Sequence, residues 1–224
     1  MSKFNWQAIY EAGEQLNQYP YDFVVSHFFN LRSARKDNKL KVLDLGCGAG
    51  NHAIFCAEQG AQVVACDFSV AALEVLKQRA ADKGLADKIT THQVDFDDFE
   101  LPYSGFDIVI DRLAVTNVSQ QSAQSVYDSV YDAMAKDGAV IANFFTDSHS
   151  HKEFGQFCDK EQVWKHFSDG IFKPLISANF YTQRQIEKLF EKYEFEALNR
   201  ETDESVLNCN PSCLSTWKVI ARKL

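Results

Sequence analysis

Four aspartates in this 224-residue chain each stand at or near the end of a short apolar run. They are Asp44 in Lys41-Val-Leu-Asp44, Asp67 after Val63-Val-Ala-Cys66, Asp95 after residues 89–94 and Asp111 after residues 106–110. Behind the first run comes Gly46-Cys47-Gly48-Ala-Gly50. Glycines at such spacing let main chain approach a ligand closely and turn amide N–H groups toward it beside a helix start. A carboxylate about 20 residues further on, here Asp67, is placed to accept both hydroxyls of a ribose. The chemistry implied is the binding of a nucleoside cofactor. Two details bear on which one. A dinucleotide fingerprint wants glycine or alanine three positions after the second glycine, and this chain has Asn51 there. Asp44, two residues before the first glycine, repels a pyrophosphate and suits a ligand carrying positive charge.

The elements that must position these acids follow from the pattern around them. Apolar runs at 41–45, 62–66, 89–94, 106–110 and 139–145 read as strands, and amphipathic stretches from Asn51, from Ser69 and over 119–135 read as helices between them. Ser69 is the expected N-cap of its helix and Gly84 its stop. Strands apolar on both faces and alternating with helices predict a doubly wound, mostly parallel α/β sheet. Ligands then sit beyond the carboxyl ends of the strands, and that rim is where the four acids are delivered. One domain over 1–224 is expected, in four parts. Residues 1–38 form a helical lead-in, 40–146 the cofactor-binding core, 147–180 a small cap and 181–224 a helix followed by a hairpin. The cap region is rich in aromatics without a clean period, which suits a small helical lid. The hairpin strands are expected near 194–201 and 215–222, joined by the turn Asn208-Cys-Asn-Pro-Ser-Cys213.

Composition removes several function classes. The chain holds 23 Lys and Arg against 31 Asp and Glu, a net charge of −8, with no basic run. Nucleic acid is therefore not expected as a partner. No apolar stretch reaches the roughly 18 residues of a membrane span, and the start lacks the layout of a signal peptide. A cytoplasmic protein is expected, a monomer or homodimer, with six reduced cysteines and no metal site, since only Cys209 and Cys213 lie close together.

Val42-Leu-Asp-Leu-Gly-Cys-Gly-Ala-Gly50, then Val63-Val-Ala-Cys-Asp67-Phe-Ser, then Asp95, then Leu101-Pro-Tyr-Ser-Gly-Phe-Asp107 resemble the class I S-adenosylmethionine-dependent methyltransferases in order and spacing. The resemblance is close over about 40–146 and looser over the C-terminal helix and strand pair. It implies a Rossmann-like seven-stranded sheet whose antiparallel C-terminal strand lies beside the fifth. It also implies S-adenosyl-L-methionine as cofactor, with S-adenosyl-L-homocysteine as product. Carried across, Gly46, Cys47, Gly48 and Gly50, with Asn51 and His52 beside them, hold the methionine portion, and Asp44 serves its ammonium. Asp67 takes the ribose with Phe68 against the adenine, Asp95 and Phe96 bound the adenine edge, and Asp111, Arg112 and Leu113 line the sulfonium side.

The methyl acceptor is expected to be a small, partly apolar molecule, taken at oxygen, nitrogen or carbon. A binding protein without turnover and a methyltransferase acting on protein remain alternatives; a nicotinamide oxidoreductase is disfavoured by Asn51 and Asp44. His149 and His151 follow the fifth strand and titrate near neutrality, so they are the candidates for a catalytic base, or loop histidines with no role. Arg112 is open between a ligand contact and an ion pair with a rim acid. Tyr10 and Tyr21 of the lead-in and Trp164 of the cap are the candidate acceptor contacts, with core packing the plain alternative. Asp97, Asp98 and Glu100 read as solvated loop acids.

Overall fold

The structure, a computed structural model, describes residues 3–34, 39–205 and 212–224. The turn expected at 208–211, with Cys209, lies outside the described residues. Two helices lead in, α1 (Lys3–Glu11) and α2 (Asp22–Ser33). The alternating part follows as β1 (Lys41–Leu45), α3 (Asn51–Glu58), β2 (Gln62–Asp67), α4 (Val70–Asp82), β3 (Ile89–Gln93), β4 (Phe106–Arg112), α5 (Gln120–Ala133) and β5 (Met134–Phe145). Three short strands come next, β6 (Gln156–Cys158), β7 (Val163–Lys165) and β8 (Ser177–Ala178), then α6 (Gln183–Leu189) and the long pair β9 (Glu194–Glu204) and β10 (Cys213–Arg222).

The main sheet has the order β3-β2-β1-β4-β5-β10-β9. β1 to β5 are mutually parallel, and β10 runs antiparallel to both β5 and β9. Buried side chains along each strand alternate between two clusters. Leu43, Val64, Val109 and Val140 pack with Val126, Val130 and Phe190 on the α5 and α6 side, whereas Val42, Val63, Ile108 and Ile141 pack with Phe28, Ile54 and Leu76 on the α2, α3 and α4 side. The two-residue period of a strand makes this split, and each fully buried side chain contributes about 1.5–3 kcal/mol. Caps agree with sequence. Ser69 and Ser119 accept from the third residue of α4 and α5, and Thr182 forms a capping box with Gln185 at α6.

Three boundaries differ from expectation. β4 continues through Asp111 and Arg112 because it pairs with β5 as far as Asn143. β5 starts at Met134, since Phe106 pairs with Met134 and Ile108 with Ala139; the residues between bulge outward, with Asp137 at φ 60°. The cap is a three-stranded antiparallel sheet, β6-β7-β8, rather than a helical lid. Its aromatic side chains pack as rings around Phe172, which imposes no helical period. No helix among the described residues is long and apolar enough to cross a membrane.

Candidate active site

Strand order reverses between β1 and β4, and a cavity of about 260 Å³ opens at that point beyond the carboxyl ends of the strands. Across its floor come Asp95 past β3, Asp67 at β2, Gly46 to Ala49 past β1, and Arg112 at β4. Phe145 at the end of β5 closes the row, and Leu175, Ile176 and Ser177 of the cap face it. Trp6 and Tyr10 of α1 and Gln15, Asn17 and Tyr21 of the lead-in complete the wall.

The glycine loop is bare main chain for a steric reason. Gly46 and Gly48 have φ of 63° and 51°; a Cβ on the first would stand 2.2 Å from the Ala114 methyl and on the second 2.3 Å from the Tyr10 hydroxyl. Asp67 is buried at the cavity, and its two oxygens accept the amide N–H groups of Gly48 and Ser69, each at 2.8 Å. These bonds tie the loop to β2, while burial raises the carboxyl above its usual range. The lead-in is pinned over the site by Arg79, whose guanidinium donates to the carbonyls of Leu16, Asn17 and Ala49. Gln7 of α1 accepts from the Ser69 hydroxyl and the Ala71 amide.

Asp111 and Arg112 adjoin in sequence but face opposite sides of the sheet, as successive strand residues must. Asp111 is fully buried on the α5 side, where it accepts from the amides of Ala114 and Val115 and, at 2.7 Å, from the Tyr127 hydroxyl. Burial still lifts its carboxyl to about 6. Arg112 faces the cavity with its guanidinium 3.6 Å from the centroid of the Tyr21 ring. Tyr21 also donates its amide N–H to His52 Nε2 at 3.4 Å, and burial lowers that imidazole to about 3, so it is a neutral acceptor.

Of the residues singled out by sequence, Gly46, Cys47, Gly48, Asn51, His52, Asp67, Phe68, Asp95, Phe96, Arg112, Leu113, Tyr10 and Tyr21 line the cavity together. Asp44, Gly50, Asp111, Trp164, His149 and His151 do not. Asp44 is 1% exposed beneath the loop, pushed up to about 8 by burial, with one oxygen lacking any hydrogen-bond partner. Gly50 is turned to α4, its missing Cβ directed at Leu76. His149 is 2% exposed, held among Phe145, Phe172 and Phe180, and burial lowers it to about 4. Its Nδ1 accepts from the His151 amide, and His151 Nδ1 accepts from the amide of Ile171. Both imidazoles therefore hold cap backbone away from the cavity. Trp164 packs on Phe180 at the outer side of the same cluster. The wall also includes Asn117, Val118 and residues 175–177, which sequence reasoning missed. A rim rule would have found the first two, because they follow β4 directly; nothing in the period of the cap marks the others.

The match to known proteins follows this geometry. Residues 42–138 match a methyltransferase-domain family model. That stretch, 97 of the 224 residues, is similar to the methyltransferase domain. The chain is 30% identical over 113 residues to the ubiquinone/menaquinone biosynthesis C-methyltransferase of Methylococcus capsulatus, covering 49% of this chain and 45% of that one. It spans less than half the length of the first curated relatives it matches, which include methyltransferases named for tRNA and ribosomal RNA. The fold is that of a SAM-dependent methyltransferase from Methanosarcina mazei, with a TM-score of 0.70 at 16% identity over 92% of this chain and 99% of that one. It is also that of the 1,6-didemethyltoxoflavin-N1-methyltransferase of Burkholderia thailandensis, solved with 1,6-didemethyltoxoflavin and S-adenosylhomocysteine bound (TM-score 0.67, 15% identity, 99% and 86% coverage). The residues present fit an adenosyl sulfonium cofactor on two observations. The glycine loop leaves room that a Cβ would fill, and a buried, unpartnered carboxylate oxygen of Asp44 lies just behind it.

Proposed function

We propose that this protein transfers the methyl group of S-adenosylmethionine to a small, partly apolar acceptor. The observation carrying the reading is that one cavity joins the bare main chain of Gly46 and Gly48 and the buried carboxylate of Asp67 to an apolar wall of Phe145, Leu175 and Ile176. Bound there, the cofactor supplies an electrophilic methyl on a sulfonium. Asp67 accepts from the ribose hydroxyls with oxygens already oriented by two amides. Phe68 and Phe96 flank the base, and Asp95 bounds its edge. Positioning and exclusion of water supply most of the rate for such a displacement. The cap and lead-in enclose the cavity from above, which favours a small acceptor over a protein segment. The five described cysteines are all free, in keeping with a cytoplasmic setting.

Calorimetry with S-adenosylhomocysteine, followed by mass-spectrometric search for methyl transfer across a panel of small molecules, tests the reading. Binding with transfer to no member supports a cofactor-binding protein instead, and no binding ends both. In a folded Asp67→Ala variant the loss should be about 1–3 kcal/mol, roughly five- to 150-fold in Kd. Unchanged affinity removes Asp67 from the ribose role.

A further inference from the structure

The polar groups of the cavity divide by charge. Asp67, Asp95 and Asp97 stand toward β2 and β3, and each accepts from the chain: Asp67 from two amides, Asp95 from the Asp97 amide, Asp97 from the Ser122 hydroxyl. Arg112 stands two strands away on β4, about 10 Å across the sheet. It is, among the described residues, the one Lys or Arg lining the cavity. Among the described residues no carboxylate pairs with it, and the group acting on it is Tyr21. A mostly buried guanidinium partnered by the ring and hydroxyl of one neutral tyrosine is left without an anion, and such a charge is costly unless one arrives.

Among the described residues, the same half of the cavity offers nothing poised to remove a proton. His52 is the histidine lining it, and its Nε2 is taken by the Tyr21 amide. Burial raises the Tyr10 phenol and the Cys47 thiol, so neither ionises readily. Around Arg112 the remaining wall is neutral or apolar: Asn51, Asn117, Ser177, Leu113, Phe145 and Ile176.

Resting on the methyltransferase reading, we infer that the acceptor is an anion with an apolar body, a carboxylate or thiolate type, whose charge is held by Arg112. The acceptor brings its own nucleophilic electron pair. That pair forms the bond to the methyl carbon as the carbon–sulfur bond breaks and its electrons stay on sulfur. The product and the thioether both end without the charges they brought, and no proton has to leave. A missing base is then a property of the reaction rather than a deficit of the site.

Benzoate and its uncharged isostere benzamide test this on the intact protein saturated with S-adenosylhomocysteine, by calorimetry. Benzoate is expected to bind at least tenfold more tightly than benzamide. In Arg112→Gln that preference should vanish while affinity for S-adenosylhomocysteine stays within about threefold, and Arg112→Lys should keep part of the preference. If Arg112→Gln does not fold, the lysine variant and the wild-type comparison decide alone. Equal binding of the two probes, or binding of neither, overturns the inference while leaving the cofactor reading intact. So does an Arg112→Gln variant that loses S-adenosylhomocysteine, since the guanidinium would then serve the cofactor's own carboxylate. Failure of wild type to bind S-adenosylhomocysteine takes down the methyltransferase reading, and this inference with it.

Discussion

The two walls of the cavity are built by different physics. On the sheet side the fixing contacts are mostly to main chain. Asp67 is held by two amides, the loop by three glycines at positive φ, and Asp111, on the far side of the sheet, by two amides and a tyrosine. On the cap side Phe145, Phe167, Phe172 and Phe180 pack ring against ring, with centroid separations of 4.8 to 6.4 Å and no shared hydrogen-bond pattern. Hydrogen bonds to backbone fix angle and distance, whereas apolar contacts accept any side chain of about the right volume. The sheet wall can therefore hold one ligand geometry, and the cap wall can be reshaped to set what lies beside it.

The largest break in that contrast is expected at Gly46→Ala. Its φ of 63° is strained for alanine, and the added methyl would stand 2.2 Å from the Ala114 methyl. Together these should cost about 3–5 kcal/mol of stability. Binding of S-adenosylhomocysteine should fall with it, because relief requires moving either the loop or the start of the turn at Ala114. Urea denaturation and calorimetry measure both; a variant within 1 kcal/mol of wild type would show that the sheet wall yields as readily as the cap.

Asp44 sharpens the contrast from beneath the loop. Its folded carboxyl keeps a proton up to about pH 8, while in the unfolded chain it ionises near the usual carboxylate range. The folded state thus binds more protons between those values, so wild type loses stability as pH rises from about 4 to 8. Asp44→Asn has no such loss, and its advantage should reach about 5 kcal/mol by pH 8 and then level off. Thermal melts across pH without cofactor read this directly. A constant difference across that range would mean that the carboxyl is ionised throughout, with water or an ion on its orphaned oxygen.

The sheet wall was legible in sequence and the cap wall was not, for the same reason that they differ physically. Glycines and strand-end acids are chemical necessities at fixed spacing, so Gly46, Gly48, Asp67 and Asp95 announce themselves. Asp111 shows the limit of that reading. Spacing put it on the rim correctly, but β4 runs two residues further than its apolar run, and strand alternation sends its side chain to Tyr127 and leaves Arg112 at the cavity. The cap segment carries six aromatic residues with no period, and its strands of two and three residues are too short to leave one. Leu175 to Ser177 reach the cavity through tertiary packing alone.

His149 gives the smallest effect and the finest test of the cap. Burial first, and the neighbouring His151 second, hold its imidazole down to about 4, against about 6.5 in the unfolded chain. Below pH 6.5 the unfolded chain takes up the proton first, so the cap loses stability as pH falls toward 4. His149→Gln removes that loss, and its acid limb should be flatter by up to about 3 kcal/mol, about 1.4 for each pH unit between the two values. The limb should persist in part, because burial holds His52 down to about 3, so it titrates in an overlapping range. Affinity for S-adenosylhomocysteine and the pH profile of methyl transfer should not move, since the ring faces Phe145, Phe172 and Phe180 rather than the cavity. A variant that binds cofactor normally and melts normally, yet loses turnover, would instead make His149 a catalytic residue, and the cap would then share the chemistry now placed on the sheet side.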